Sequence, residues 1–278
     1  MGYKTHHSYT AMKRLILIVF LGPLCAHADW KAIRREDSKA TGGKIKVSEL
    51  VVSDGSHDAD LSFVYFAASD VRLEAVSNSE RKFGGLSDVI KLTGAIAGVN
   101  GGYFDERLRP IGLLISNGRV LHGLQKAPLL TGISYVKGDQ LFLVRTPHFP
   151  GTNGIQQAIQ CGPFLVDEGK TVSGLEYSRT AARTFIFRST TSIWGFGICR
   201  SVTLAEMAQI LIDVPMVPGH HISRALNFDG GYSTAFYAQT DRGAILSEGN
   251  PMVSDYLIAF SISSIRANTS FSVASPNF

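Results

Sequence analysis

Short apolar runs separated by glycine-containing turns limit this chain to a fold rich in β-structure. Runs of about four to eight residues have the length of strands, not of helices. The predicted strands are 61–67, 71–76, 95–99, 112–116, 119–121, 140–144, 164–166, 184–188 and 193–198. Ser69-Asp70 predicts a hairpin between the first two. Asn117-Gly118 predicts a two-residue hairpin turn between the fourth and the fifth.

The sequence contains fewer signals for helices than for strands. Thr203 and Glu206 form the pattern of a capping box, and apolar residues recur at helical spacing from Leu204 to Ile212. A second, shorter helix is predicted over 87–92. Because strands outnumber helices and do not alternate regularly with them, we predict an α+β fold: a single domain with a mixed, largely antiparallel sheet covered by a few helices.

The amino terminus has the features of an export signal. A basic pair follows Met12, the expected start, and precedes the apolar run 15–24 and the small-residue pattern at 26–28. Residues 1–28 are therefore predicted to be a signal peptide, and the protein to be periplasmic or secreted. A membrane anchor is disfavoured because spanning the bilayer takes about 20 apolar residues, so we expect no stable membrane insertion after the signal is removed.

The rest of the chain divides simply. Residues 29–43 are polar and predict an irregular lead-in, 44–266 form the predicted domain, and 267–278 are a tail. The formal net charge is +4. The sequence contains no long run of like charges, so we expect no nucleic-acid partner. Removing the signal leaves Cys161 and Cys199, for which a disulfide and two buried thiols are both open interpretations.

The first motif with chemical potential is Asn100-Gly101-Gly102, which follows an apolar strand and precedes Asp105. Paired glycines free the backbone and let a ligand approach the main chain. An ordinary hairpin turn is the alternative, because Asn-Gly is common in such turns.

The second motif repeats this design. Asp229 ends a strand and is followed by Gly230-Gly231 and then by Ser233 and Thr234. Such a loop can hold a carboxylate beside backbone N–H groups that bind phosphate or a sugar hydroxyl. It could also be an Asx turn, but two Gly-Gly loops in one chain favour a shared site.

The third motif places Arg183 and Thr184 at the start of an apolar strand. A buried guanidinium needs a partner, and its planar donors suit phosphate or carboxylate. A structural ion pair with Asp105 or Asp229 is the competing interpretation.

In their order, these segments resemble the phosphodiester glycosidase family over about residues 86–260. The matching segments are Asn100-Gly-Gly-Tyr-Phe104, Gly162-Pro163, Arg183-Thr184, Val202-Thr-Leu-Ala-Glu206 and Leu226-Asn-Phe-Asp-Gly-Gly-Tyr-Ser233. The chain departs from the family at Tyr232, where a third glycine is usual, and at Phe185, where alanine is usual. It also has Asn250-Pro251-Met252 at a place where the family often has a basic residue.

The resemblance implies hydrolysis of a sugar-1-phosphodiester on a phosphorylated sugar or glycan, without a cofactor. The implied catalytic residues are Asp229, Arg183 and Asp105. The implied substrate-binding residues are Asn100, Gly101, Gly102, Thr184, Gly230, Gly231, Ser233 and Thr234.

Two other functions remain open. One is an envelope module that binds phosphorylated glycans without cleaving them, which the departure at Tyr232 motivates. The other is a metal-dependent phosphodiesterase. It has less support because His57, His122, His148 and the pair His220-His221 lack metal-ligand spacing, so no metal is predicted.

Overall fold

The computed structural model describes residues 1–2, 29–79 and 82–262. Most of the predicted signal peptide, including Met12, and the predicted tail lie outside these residues. The described helices are α1 (Leu86–Thr93) and α2 (Leu204–Asp213). The described strands are β1 (Lys31–Lys39), β2 (Lys46–Ser53), β3 (Asp58–Ala67), β4 (Val71–Ser77), β5 (Ala97–Asn100), β6 (Leu114–Ser116), β7 (Arg119–His122), β8 (Gly132–Lys137), β9 (Gln140–Arg145), β10 (Ile155–Cys161), β11 (Phe164–Asp167), β12 (Lys170–Thr171), β13 (Ala181–Ser189), β14 (Ile193–Val202), β15 (Ile222–Asn227), β16 (Phe236–Thr240), β17 (Gly243–Ser247) and β18 (Asp255–Ser261).

Three antiparallel sheets form the molecule. The first has the strand order β1-β2-β3-β14-β13-β15-β11-β12, the second β7-β6-β10-β8-β9, and the third β17-β16-β5-β18-β4. Every named strand pairing in the described part of the chain is antiparallel. The predicted α+β class with one mixed sheet therefore understated the β content. The prediction of a largely antiparallel, sheet-rich fold was sound.

The helices cover sheet faces through one apolar side each. In α2, Met207, Ala208 and Leu211 are buried in a core that also contains Phe185 and Phe187 of β13. The predicted capping box is confirmed, because the Thr203 hydroxyl accepts from the Glu206 N–H at 3.1 Å and the Glu206 carboxylate accepts from the Thr203 N–H at 2.7 Å. No helix among the described residues is long and apolar enough to cross a membrane.

Local signals predicted one turn correctly and another wrongly. Asn117 and Gly118 join β6 to β7 with φ of 49° and 76°, as expected of a two-residue hairpin. The hairpin predicted at Ser69-Asp70 does not form. A 3₁₀ turn over Ala68–Asp70 instead leads from β3 in the first sheet to β4 in the third. Strand runs do not reveal which sheet they join.

The lead-in also differs from its prediction. Most of 29–43 is the strand β1, which pairs with β2 at the edge of the first sheet. Its side chains are mostly exposed, so it lacks the apolar alternation by which strands are recognised. Cys161 and Cys199 are both buried free thiols and lie in separate hydrophobic cores, which excludes the disulfide in this structure.

Candidate active site

The two Gly-Gly loops meet, although more than 120 residues separate them. The Asp229 N–H donates to the Gly101 carbonyl at 3.0 Å. The Asn100 side-chain amide donates to the Asp229 carbonyl at 2.8 Å. The strand carrying the third motif joins them, because the Phe228 N–H donates to the Thr184 carbonyl at 2.8 Å. The three predicted motifs thus converge where β5 of the third sheet meets β13 and β15 of the first.

Asn100 and Thr184 are buried side chains that connect the three motifs. The Asn100 Oδ1 accepts from the Thr184 hydroxyl at 2.7 Å and from the Ala235 N–H at 3.0 Å. Both side chains are almost fully buried. In this structure both side chains hold the loops together, and their predicted role in substrate binding stays a prediction.

Asp229 is the half-buried carboxylate at the centre of the convergence. Its Oδ1 accepts from the Gly230 N–H at 2.9 Å, and the Ser233 hydroxyl also donates to this carboxylate. Burial raises the pKa of Asp229, an effect that these two hydrogen bonds partly oppose. Asp229 is therefore a stronger base than an ordinary aspartate, and Ser233 orients it.

A buried acid that sequence reasoning missed, Asp255, lies beneath the first Gly-Gly loop. Its Oδ1 accepts from the Gly102 N–H at 3.0 Å, and its backbone carbonyl accepts from the Gly101 N–H at 2.8 Å. The Ser254 hydroxyl donates to its Oδ2. The N–H groups of Gly101 and Gly102 are thus occupied by acceptors of the protein itself in this structure.

Burial raises the pKa of Asp255 to about 6, and the negative charge of Asp229 contributes to this shift. The two carboxylates therefore influence each other. The sequence contains Val253-Ser254-Asp255 at the start of a strand, but nothing local indicates that this acid lies under a glycine loop 153 residues earlier.

Replacing Asp255 with Asn is expected to remove a pH dependence of stability. With a pKa raised from 3.8, the folded protein holds this proton more tightly than the unfolded chain does. The stabilising contribution is present below about pH 4 and is lost as the pH rises to about 6, on the order of 2–3 kcal/mol. Urea denaturation at pH 4 and 7 measures this effect. Between pH 4 and pH 7 the wild type should lose more stability than the Asp255→Asn variant does. A difference in unfolding free energy between the two proteins that is the same at both pH values would contradict this prediction.

The second loop keeps backbone donors available. Among the described residues, the N–H groups of Gly231 and Tyr232 have no hydrogen-bond partner. Gly231 has φ of 62°, which favours glycine, whereas Tyr232 is not in that region, so a side chain is tolerated there. Gly230 is needed for a different reason: a Cβ at this position would lie 2.7 Å from the Ala182 carbonyl.

Arg183 lies beside the second loop, with part of its guanidinium engaged. Its Nε donates to the Val202 carbonyl at 3.0 Å and Nη2 donates to the Arg179 carbonyl at 2.5 Å. Nη2 also lies 3.8 Å from the Glu176 carboxylate, so the ion-pair partner is Glu176 and not Asp105 or Asp229. Within the described residues, Nη1 has no hydrogen-bond partner, which leaves one donor edge for a ligand.

Tyr103 connects the charged groups and was also missed as a site residue. Its hydroxyl donates to the Gly162 carbonyl at 2.7 Å and accepts from the Asn227 side-chain amide at 3.2 Å. Burial raises its pKa, the Asp229 charge raises it further, and the Arg183 charge lowers it. The phenol therefore lies within electrostatic reach of both groups. The signal available in the sequence was an aromatic residue directly after Gly-Gly.

Asp105 does not join this centre. Its carboxylate accepts from the Arg109 Nε at 2.8 Å and from the Arg107 and Arg109 N–H groups at 2.9 Å. These bonds lower its pKa to about 2. All of these contacts lie within one local turn, so Asp255 replaces Asp105 as the second carboxylate near Asp229.

A cleft of about 380 Å³ adjoins the second loop. Thr234, which lines it, is 6 % exposed, and its hydroxyl has no hydrogen-bond partner in the described part of the chain. The Asn250 N–H donates to the Tyr232 carbonyl at 2.7 Å. Two of the three departures from the family pattern, Tyr232 and Asn250, therefore contact each other at this cleft, and Tyr232 is 93 % exposed beside it.

Two solved structures resemble the fold. A hypothetical protein from Synechocystis has a TM-score of 0.54 at 15 % identity, covering 78 % of this chain and 62 % of that one. The catalytic domain of zebrafish N-acetylglucosamine-1-phosphodiester alpha-N-acetylglucosaminidase, auto-inhibited by its pro-peptide, has a TM-score of 0.56 at 14 % identity. That match covers 81 % of this chain and 87 % of the zebrafish domain. At these identities the likeness concerns the fold.

Sequence comparison is more specific. The uncharacterized protein YigE of Escherichia coli (strain K12) is 37 % identical over 78 residues, which are 26 % of this chain and 31 % of YigE. The chain therefore matches about a third of that relative's length. The profile of the family described as phosphodiester glycosidase matches residues 93–259, more than half of the chain. This range includes both Gly-Gly loops, Arg183 and Asp255, and the chain therefore belongs to the phosphodiester glycosidase family.

Proposed function

We propose that the protein is an exported hydrolase that cleaves a sugar-1-phosphodiester at the glycosidic bond, on phosphorylated glycans of the cell envelope or its surroundings. One observation carries the proposal. A half-buried, unusually basic carboxylate, Asp229, stands in the same loop as the two unpaired N–H groups of Gly231 and Tyr232, and Tyr103 lies within electrostatic reach of both Asp229 and Arg183. This combination offers a base and anion donors in one place.

In the proposed reaction, water attacks the anomeric carbon while the bond from that carbon to the phosphate oxygen breaks. Asp229 takes a proton from the water, and its charge stabilises the oxocarbenium-like centre. The electron pair of the broken bond stays on the phosphate oxygen. The products are a free sugar and a phosphate monoester, whose second pKa of about 6 makes it a leaving group that needs little protonation.

The departing phosphate gains negative charge, which preorganised donors stabilise. The Nη1 of Arg183 and the N–H groups of Gly231 and Tyr232 are the donors that the protein leaves unused. Asn100 and Asp255 act indirectly, because the Asn100 side chain holds the two loops together and the Asp255 side chain holds the first loop against β18. No cofactor enters this scheme.

Hydrolysis in water enriched in ¹⁸O tests which bond breaks. Purified protein would be incubated with a panel of sugar-1-phosphodiesters and plain phosphodiesters, and the products analysed by mass spectrometry. We expect the label in the sugar and none in the phosphate, because water attacks carbon. Label in the phosphate would instead indicate a phosphodiesterase and contradict the proposal. A parallel reaction with chelator tests the metal-dependent version of that alternative.

The second candidate is a non-catalytic module that binds phosphorylated glycans. The nearly complete exposure of Tyr232 beside the cleft favours it, because exposed aromatic rings provide flat binding surfaces. Binding of several sugar phosphodiesters without any product in the same panel would support this function.

A further inference from the structure

A groove outside the catalytic centre runs along the loop 124–131. Its larger part is a cavity of about 880 Å³ between this loop and the segment 145–149. A second cavity of about 350 Å³ adjoins it, and the two share the lining residues Pro128, Thr131 and Arg145. The two cavities are therefore adjacent, and we treat them together as one groove; each has a size that binds small molecules.

The walls of the groove are mainly apolar. Leu124 lines the larger cavity and is 41 % exposed, while Leu129 lines the smaller one and is 50 % exposed. Pro128 and Phe149 add further apolar surface. Apolar side chains that stay exposed together in a concave surface mark a binding site more often than a random patch.

The smaller cavity is bordered by residues that adjoin the candidate site. Glu176 lines it and forms the 3.8 Å ion pair with Arg183. Pro163 lines it as well, and the preceding Gly162 carbonyl accepts the Tyr103 hydroxyl at 2.7 Å. The smaller cavity therefore lies next to two residues of the candidate site, Arg183 and Tyr103.

The charge of the groove favours an anionic amphiphile. Lys126, Arg145 and His148 line the larger cavity, and none of its described lining residues is acidic. The acidic residue that lines the smaller cavity, Glu176, is paired with Arg183. Arg145 is paired with Asp167 at 2.8 Å, whereas Lys126 has no ion-pair partner in the described part of the chain. A basic rim over apolar walls complements a phosphate attached to an apolar chain.

We propose that the groove binds an apolar chain carried by the phosphate of the substrate, so that the substrate class is a lipid-linked sugar phosphate. This inference rests on the proposed function, because it places the aglycone on the side of the phosphate opposite the sugar. The phosphate contacts Arg183, and the chain lies along Pro128 and Leu124.

Kinetics with two substrates that share one sugar 1-phosphate test this assignment. One is esterified with methanol and the other with decanol, both used below the concentration at which micelles form. Burial of the added methylenes should lower KM for the decyl ester at least about tenfold. Equal KM values would overturn the groove assignment while leaving the glycosidase function intact.

Leu124→Asp and Leu92→Asp form a matched pair of variants. Both leucines are exposed, at 41 % and 71 %, but Leu92 lies on α1 away from the groove. We expect Leu124→Asp to move the KM ratio of the two esters toward one, because an anion then faces the apolar chain. Leu92→Asp should keep the wild-type ratio. A wild-type ratio in Leu124→Asp would overturn the inference.

Binding of decyl phosphate, measured by calorimetry, separates this inference from the proposed function. Binding that Leu124→Asp weakens and Leu92→Asp preserves supports the groove even in a protein that hydrolyses neither ester. No binding of decyl phosphate overturns it. A dimer in gel filtration that Leu124→Asp dissociates would also overturn it, since a second copy of the chain would then occupy the groove.

Discussion

Replacing Asp229 with Asn should lower kcat/KM for a sugar-1-phosphodiester by about 1,000-fold, within the range attributed to a general base. Asparagine keeps the shape of the side chain, and its Oδ1 can still accept from the Gly230 N–H. It cannot take a proton from water or stabilise a developing positive charge. Steady-state kinetics on the hydrolysed ester measure the effect, which is expected mainly in kcat because the donors for the phosphate are unchanged.

The control for this variant is Asp139→Asn. Asp139 lies in the exposed turn between β8 and β9, and the same chemical change there should leave kcat/KM as in the wild type. Thermal melting of both variants shows whether the fold is intact. Wild-type turnover in a folded Asp229→Asn protein would remove Asp229 from the proposed mechanism.

A Gly101→Ala substitution should destabilise the folded protein by about 3 kcal/mol or more, the range of severe overpacking in a core. The added Cβ would lie 1.9 Å from Oδ1 and 3.1 Å from the backbone oxygen of Asp255. That carboxylate cannot move away easily, because the Gly102 N–H and the Ser254 hydroxyl both hold it. Relief of the clash therefore separates the first loop from the strand beneath it.

Urea denaturation of Gly101→Ala and Gly123→Ala measures this effect. Gly123 is exposed, and a Cβ there would meet no heavy atom within 4 Å, so its substitution should change stability little. Equal unfolding midpoints for the two variants would show that Gly101 does not pack against Asp255 as described.

The two substitutions distinguish residues needed for turnover from residues needed for folding. Asp229→Asn removes a charge at a half-buried position without changing volume, so it acts on turnover. Gly101→Ala changes no charge but pushes apart the first loop and β18, so it acts on folding. Asp255 belongs with the scaffold, because its side-chain oxygens accept hydrogen bonds from protein groups.

Local features of the sequence predicted the elements that depend on neighbouring residues. The capping box at Thr203 and the turn at Asn117-Gly118 form because their hydrogen bonds and φ angles involve residues only a few positions apart. The two Gly-Gly loops were predicted to share one site because two such loops occur in one chain. Their meeting confirms that part of the prediction.

What the sequence determined by itself was therefore the identity of the motifs and the β-rich character of the chain. Only the tertiary structure decided which groups accept hydrogen bonds from the backbone N–H groups of each loop. Asp255 accepts those of the first loop, while two N–H groups of the second loop have no partner among the described residues. The tertiary structure likewise paired Arg183 with Glu176 and turned Asp105 toward Arg109. The physical reason is that a hydrogen-bond donor is satisfied by whichever acceptor packing brings within about 3 Å, and that acceptor can lie anywhere along the chain.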